Sequence, residues 1–319
     1  MKPILALLLT SIIFLGCEKK DEPKKTEYGI AYNVFAPDSS APDNYEVMIM
    51  DIDGNNKKNL TAHKDVAWTY NSYKNRLFFI SDRDTAYRNY FLYEMDANGK
   101  NIRKVTDLRL EDSWMSSRNN CKEMVVAGRI GKEIRYQLFL VNTSTGKYEQ
   151  ITNDTAAMYR DPCFSPDGKQ IVFAYQKDKR DRSTHEELYV MNVDGSGMKQ
   201  LTTYPEDNIS AKDFGYKAGP PKWHPTENFI TYISKQDGRN NIFAVSPDGS
   251  KQWKLTNSTD NEGWHDWSSD GNWLAYDHST NDESQYHIML MNWKTKEIKQ
   301  LTDTTYKYQQ APVFVVVNR

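Results

Sequence analysis

Apolar residues in this chain come in short runs, too short and too regularly broken for helices. Runs such as Leu77-Phe78-Phe79-Ile80 and Ile171-Val172-Phe173 are apolar at consecutive positions, as strands covered on both faces are. Between them stand clusters of Asn, Asp, Ser, Thr, Gly and Pro, the residues of tight turns. The clearest example lies at 161–175, where Phe164-Ser165-Pro166-Asp167-Gly168 precedes Gln170-Ile171-Val172-Phe173. Pro166 presets φ for the first corner, the Asp167 side chain can bond its own backbone, and Gly168 accepts φ > 0, so two strands fold back here. The same order of aromatic, turn and apolar strand recurs at 68–80, 114–127, 223–233 and 267–276, and a truncated copy lies at 314–317. Trp68, Trp114, Phe164, Trp223, Trp267 and Phe314 are expected to share one slot and to pack between neighbouring units.

A second signature closes each unit. Leu60-Thr61, Val105-Thr106, Ile151-Thr152, Leu201-Thr202, Leu255-Thr256 and Leu301-Thr302 end strands spaced 45 to 54 residues apart. Each is preceded by an apolar strand such as Val47-Met48-Ile49-Met50 or Leu188-Tyr189-Val190-Met191, with Asp53-Gly54, Asn98-Gly99, Asp194-Gly195 or Asp248-Gly249 at the turn. Asp-Gly and Asn-Gly between apolar runs are strong hairpin signals. A unit is therefore two hairpins, and its length is that of a four-stranded propeller blade. There are six units. Tyr28 to Phe35 matches a second strand and Pro312-Val313-Phe314 a first strand, so the two termini are expected to share one blade and close the ring. The fold class is all-β, a six-bladed propeller of four-stranded antiparallel blades.

The Ser-Pro-Asp-Gly hairpin, its looser copy Ser268-Ser269-Asp270-Gly271, the Asp-Gly turn and the terminal Leu-Thr together resemble the TolB-like six-bladed β-propellers. The resemblance runs from about Tyr28 to Arg319. It implies the fold and a place in the bacterial envelope, and leaves function open, since one fold hosts many functions. TolB itself carries a further N-terminal α/β domain and no lipid, so the expectation is a relative of TolB.

Composition fits this reading: aromatics are 13% of residues, with 20 Tyr and 8 Trp. Lys+Arg 41 against Asp+Glu 43 gives a net charge of -2, without the basic stripe that nucleic-acid binding requires. Lys2 precedes an apolar run from Ile4 to Leu15, about half a bilayer span, which reads as a secretory h-region. It ends in Phe14-Leu15-Gly16-Cys17, which resembles a lipobox with Cys17 as the lipidated residue. The expected domains are a lipoprotein signal peptide at 1–16, a flexible charged tether at 17–27 and the propeller at 28–319. Lys20-Asp21-Glu22 resembles the acidic tag of surface-exposed lipoproteins, with a plain spacer as the alternative. The expected location is the cell envelope, lipid-anchored at the outer membrane, on its periplasmic side or at the cell surface. Cys121 and Cys163 are expected as two separate, buried or half-buried thiols.

The connections at one face of such a disc are short and uniform. Those at the other are long and unlike one another, at 36–44, 82–89, 177–187, 279–286 and, longest, 203–220. Binding residues are usually placed on such loops. At the mouth end of the innermost strands the candidate binding residues are Asp65, Glu111, Asp161, Trp264 and His265, with His224 after its aromatic in another unit. A ring of carboxylates there could hold a divalent cation such as Ca²⁺; the alternative role is hydrogen bonding to neighbouring strands and turns. Oligogalacturonate lyases are similar propellers, and that resemblance implies histidines holding a catalytic metal, for which His224 and His265, with His185, His278 and His287, are candidates. No His-x-x-x-His pair, Gly-x-Ser-x-Gly elbow, Walker loop or dinucleotide fingerprint is present. The expected function is therefore a monomeric, non-catalytic recognition module for an envelope protein. Polysaccharide binding and a metal-dependent polysaccharide lyase are the alternatives.

Overall fold

The computed structural model describes residues 26–317 except 86, 182–184, 205–216 and 237. The signal peptide, the lipobox and all but the last two residues of the tether lie outside the described residues, as does most of the longest loop. The described chain forms six antiparallel sheets arranged as blades. Blade 1 is built from both termini, in the order Gln309–Val316, Tyr28–Phe35, Tyr45–Asp51, Lys58–Asn59. Blade 2 follows as Ala67–Tyr73, Arg76–Ser81, Phe91–Asp96 and Arg103–Lys104. In blade 3 the innermost strand is split into Arg109–Leu110 and Ser116–Arg118, ahead of Glu123–Ile130, Ile134–Asn142 and Tyr148–Gln150. Blades 4, 5 and 6 start at Met158–Phe164, Lys222–Trp223 and Asn261–Trp267. The closure is a real ladder: Ile30 pairs with Phe314 and Tyr28 with Val316.

The two repeated signatures meet each other across the blade interfaces. Each closing Thr, except in blade 2, accepts a backbone N–H of its third strand, as Val47 N to Thr61 Oγ1 at 3.0 Å and Leu188 N to Thr202 Oγ1 at 2.8 Å. In blade 2, Thr106 instead donates to Gly146 O of blade 3 at 2.7 Å. The aliphatic residue before the Thr, in every blade but blade 5, carries the turn glycine of the next blade. A Cβ on Gly99 would lie 2.8 Å from Leu60 O, and one on Gly54 2.8 Å from Leu301 O. These glycines also have φ of +81° and +88°, so the turn needs Gly twice over.

One expectation is corrected. Phe164, Trp223, Trp267 and Phe314 do occupy one slot, opposite Ile171, Ile230, Leu274 and Ile30. Trp68 and Trp114 do not. The equivalent positions are Ser72, opposite Leu77, and Ser117, opposite Met124. Longer stretches separate the aromatic from the second strand in blades 2 and 3, so both indoles move toward the opposite end of the strand. There they form a cluster with Tyr45, Tyr70 and Trp264. Cys121 is buried and Cys163 half-buried, and both are free thiols.

Replacing Gly99 by Ala should destabilise the fold by at least ~1 kcal/mol more than replacing Gly131, which has a similar φ of +61° but nothing within 4 Å of the place a Cβ would take. Chemical denaturation of the two variants checks this; equal losses would show that the interface contact contributes nothing.

Candidate functional site

The long-loop face is formed where second strands end and third strands begin, and there the structure places most of the candidate residues. Asp65 is buried, receives Nε of Arg83 at 2.9 Å and Nδ1 of His63 at 3.0 Å, and accepts the Ser81 hydroxyl. Glu111 is buried against Arg135 at 3.2 Å and Arg129 at 3.8 Å. Asp161 accepts Trp114 N at 2.9 Å and Ser113 Oγ at 3.0 Å, binding blade 4 to blade 3. A fourth acid, Glu186, which the sequence did not single out, meets Arg160 at 2.5 Å. Burial pushes the Glu186 carboxyl up, partly offset by that guanidinium. The mouth is thus a belt of carboxylates in which most are individually matched by arginines or by backbone N–H groups. Among the described residues no group of three or more His, Cys, Asp or Glu side chains is arranged to hold a metal ion.

Asp112 stands apart. It is exposed, yet it sits deep in the funnel of the mouth, where its carboxylate accepts the Tyr70 hydroxyl at 2.5 Å. Crowding by the walls raises its pKa, the Tyr70 bond opposes the rise, and the Asp161 charge adds to it.

The two leading histidines lie elsewhere. His224 occupies the turn between the first two strands of blade 5, at the end of the disc away from the long loops. It is fully buried, and its Nδ1 accepts the N–H groups of Glu227 at 2.8 Å and Thr226 at 3.3 Å. It fills the place that Ser165 holds in blade 4, where the hydroxyl accepts Gln170 N and binds Asp167. His265 is also fully buried, inside the interface of blades 5 and 6, with Nε2 2.8 Å from Thr231 Oγ1. Since that hydroxyl donates to Lys222 O, His265 is assigned as the Nε2–H tautomer. Its pKa is pushed down to about 3 by burial and by the nearby Lys222 charge. Both act as core hydrogen-bonding groups. Of the others, His185 stacks on Tyr204 with ring centroids 3.8 Å apart, and His278 lies 3.5 Å from Asp260.

Trp264 is half-buried at the mouth, its ring edge-on to Trp68 at 5.7 Å. From there an unbroken chain of rings runs along the face. Trp68 meets Tyr45 at 4.7 Å, Tyr45 meets Phe35 at 4.9 Å, Phe35 meets Tyr308 at 6.0 Å, and Tyr308 meets Tyr286 at 5.4 Å. Farther along the same face Tyr87 is 66% exposed, with the Arg88 guanidinium over its ring. Most of these residues lie at or near strand ends or in loops, and no local motif marks them.

Beside Trp264 a cavity of about 420 Å³ opens between blades 5 and 6, with Asp277 in its wall. Asp277 is buried, accepts Ala311 N at 2.9 Å and so links blade 6 to blade 1; a Cβ on Gly263 would collide with its carboxylate. Burial raises its pKa to about 7, against its backbone donors, which lower it. A carboxyl raised on folding favours the fold when protonated, so this contribution is lost as pH climbs from 4 to 7. Asp277→Asn should therefore flatten part of the pH dependence of unfolding across that window, by up to about 4 kcal/mol. His265, held neutral, acts with the opposite sign, losing stability as pH falls from 6.5 toward 3. Melting curves of wild type and variant from pH 4 to 8 test this; parallel curves would show that Asp277 does not titrate there.

Comparison with known proteins places this arrangement. Residues 69–315 match the TolB beta propeller domain. The crystal structure of TolB from Acinetobacter baumannii superposes with a TM-score of 0.67 at 16% identity, covering 90% of this chain and 66% of that one. Oligogalacturonate lyase from Vibrio parahaemolyticus gives 0.51 at 14% identity, covering 86% and 73%; at such identities both show the fold alone. Dipeptidyl-peptidase 5 of Porphyromonas endodontalis is 28% identical over 113 residues, 35% of this chain, and the match spans only 15% of the peptidase. The domain match runs from the innermost strand of blade 2 round to that of blade 1, and on that ground the chain belongs to the family of the TolB beta propeller domain.

Proposed function

We propose that this chain is a recognition module of the bacterial cell envelope, held to the membrane by lipid on Cys17 and binding a protein partner through its long-loop face. The observation that carries the reading is the chain of rings from Trp264 to Tyr286, half-buried except for the buried Trp68, continued by the exposed Tyr87 and by Arg88. Aromatic and arginine side chains at a rigid surface are what protein interfaces enrich, and they carry most binding energy where they are found. The mouth carboxylates support this role. Matched by arginines, they hold the loops in place and leave little charge for a partner to neutralise. The h-region that ends in Gly16-Cys17, and the charged stretch after it, support the anchor.

Two experiments test the two halves. A photo-reactive residue replacing Tyr87 should capture one protein in intact envelopes, while the same residue at Ile298, exposed on the outermost strand of blade 6, should capture none. Equal labelling from both, or none from either, would overturn the partner reading. Cells fed a labelled fatty acid should incorporate it into the chain, and Cys17→Ser should abolish the label; an unlabelled wild type removes the anchor.

A further inference from the structure

The cavity between blades 5 and 6 is walled by rings and carboxylates that no described cationic side chain completes. Trp264 and Tyr286 line it with rings, and Glu262, Asp277 and Glu283 with carboxylates. Glu262 is held by Thr256 and by Asn241 at 3.1 Å, Asp277 by Ala311 N, and Glu283 lies against the Tyr286 phenol. None of the three is paired with a cationic side chain among the described residues. Of the two lysines at the rim, Lys217 interacts with Glu186, and Lys235 is not free. Ser279 supplies a second, independent deficit. It lines the cavity and is 2% exposed; its hydroxyl lies close to Tyr286, behind the cavity wall, yet makes no well-formed hydrogen bond.

Buried carboxylates without a cationic partner, here Glu262 and Asp277, are costly, and so is a buried hydroxyl without a well-formed hydrogen bond. A ligand that relieves both must carry positive charge and several N–H donors, and two aromatic walls favour the same species. We propose that this cavity receives a lysine or arginine side chain presented by the protein that docks on the long-loop face, an inference that rests on the partner reading above. The acid that decides its pH dependence is Asp277, faced across the cavity by Glu262, Glu283, Tyr286, Lys217 and Lys235. A cation seated there holds Asp277 ionised, so binding releases a proton and tightens as pH rises from 6 to 8.

The test uses the whole chain and two small probes, Nα-acetyl-lysine N-methylamide and its uncharged isostere Nα-acetyl-norleucine N-methylamide, followed by ligand-observed NMR titration. The lysine probe should bind saturably and at least about tenfold more tightly than the isostere. Glu283→Gln, in an exposed loop, should weaken it severalfold without changing the melting temperature, and Asp277→Asn should abolish the pH dependence of binding. Equal affinity for both probes, or lysine binding unchanged in both variants, would overturn the assignment. The cross-link at Tyr87 reads separately. An adduct without lysine-probe binding removes the cavity assignment and leaves the docking face standing, whereas probe binding without an adduct removes the partner and leaves a cation-selective cavity.

Discussion

The structure depends on a close approach of backbone to backbone, repeated around the ring. A turn glycine at the outer hairpin of one blade rests on the closing strand of the blade before it. Gly54 lies on Leu301, Gly99 on Leu60, Gly146 on Val105, Gly195 on Ile151 and Gly249 on Leu201. In blade 6, Lys296 adopts φ of +62° in the corresponding turn without a glycine. Because no side chain stands between them, the blades pack at a fixed distance, and the strands' apolar faces then meet at native density. Closing Thr side chains fix the other end of the same strands by accepting a third-strand N–H. The contact also explains why the two motifs recur together, since each is half of one interface.

The inner strands carry a different set of constraints. Asp161 accepts an N–H from blade 3, Asp266 accepts Phe314 N at 3.0 Å, Asp277 accepts Ala311 N, and Asn33 Oδ1 accepts Thr69 N at 2.8 Å. Polar side chains here join neighbouring blades where the strands bulge and cannot complete their own ladders. An acid at the channel mouth is thus first a structural device. Asp112 does the same by accepting the Tyr70 hydroxyl of blade 2, whereas Glu283 at the cavity rim joins no two blades.

Much of the fold was legible in the sequence because its determinants are local. Asp-Gly turns, Ser-Pro-Asp-Gly hairpins and aliphatic-Thr endings each specify their own geometry, and repetition at blade length gave the count and the shared blade. The aromatic slot was misread in two blades for a reason visible in spacing. Seven residues separate Phe164 from Ile171, Trp223 from Ile230 and Trp267 from Leu274, but nine separate Trp68 from Leu77 and ten Trp114 from Met124. The site was less legible. Asp65, Glu111 and Asp161 could be placed by their position before an aromatic. Their surroundings could not, because Arg83 and Arg135 arrive from 18 and 24 positions away, one on a loop and one at the start of a third strand, where no motif marks them. His224 was misleading because it stands where other blades have a turn serine, and it does that residue's work with a ring nitrogen.

The closing blade also sets the side of the disc from which both ends of the chain emerge. Tyr28 begins its strand beside Val316 and opposite the turn that follows Asp51, so the chain enters and leaves the propeller on the short-turn side. With lipid on Cys17, eleven residues from 17 to 27 join the membrane to that side, a leash of at most ~40 Å when fully stretched. The disc would then hang with its short turns toward the bilayer and its aromatic face turned outward, in reach of whatever lies beyond the membrane surface and shielded from the lipid headgroups themselves.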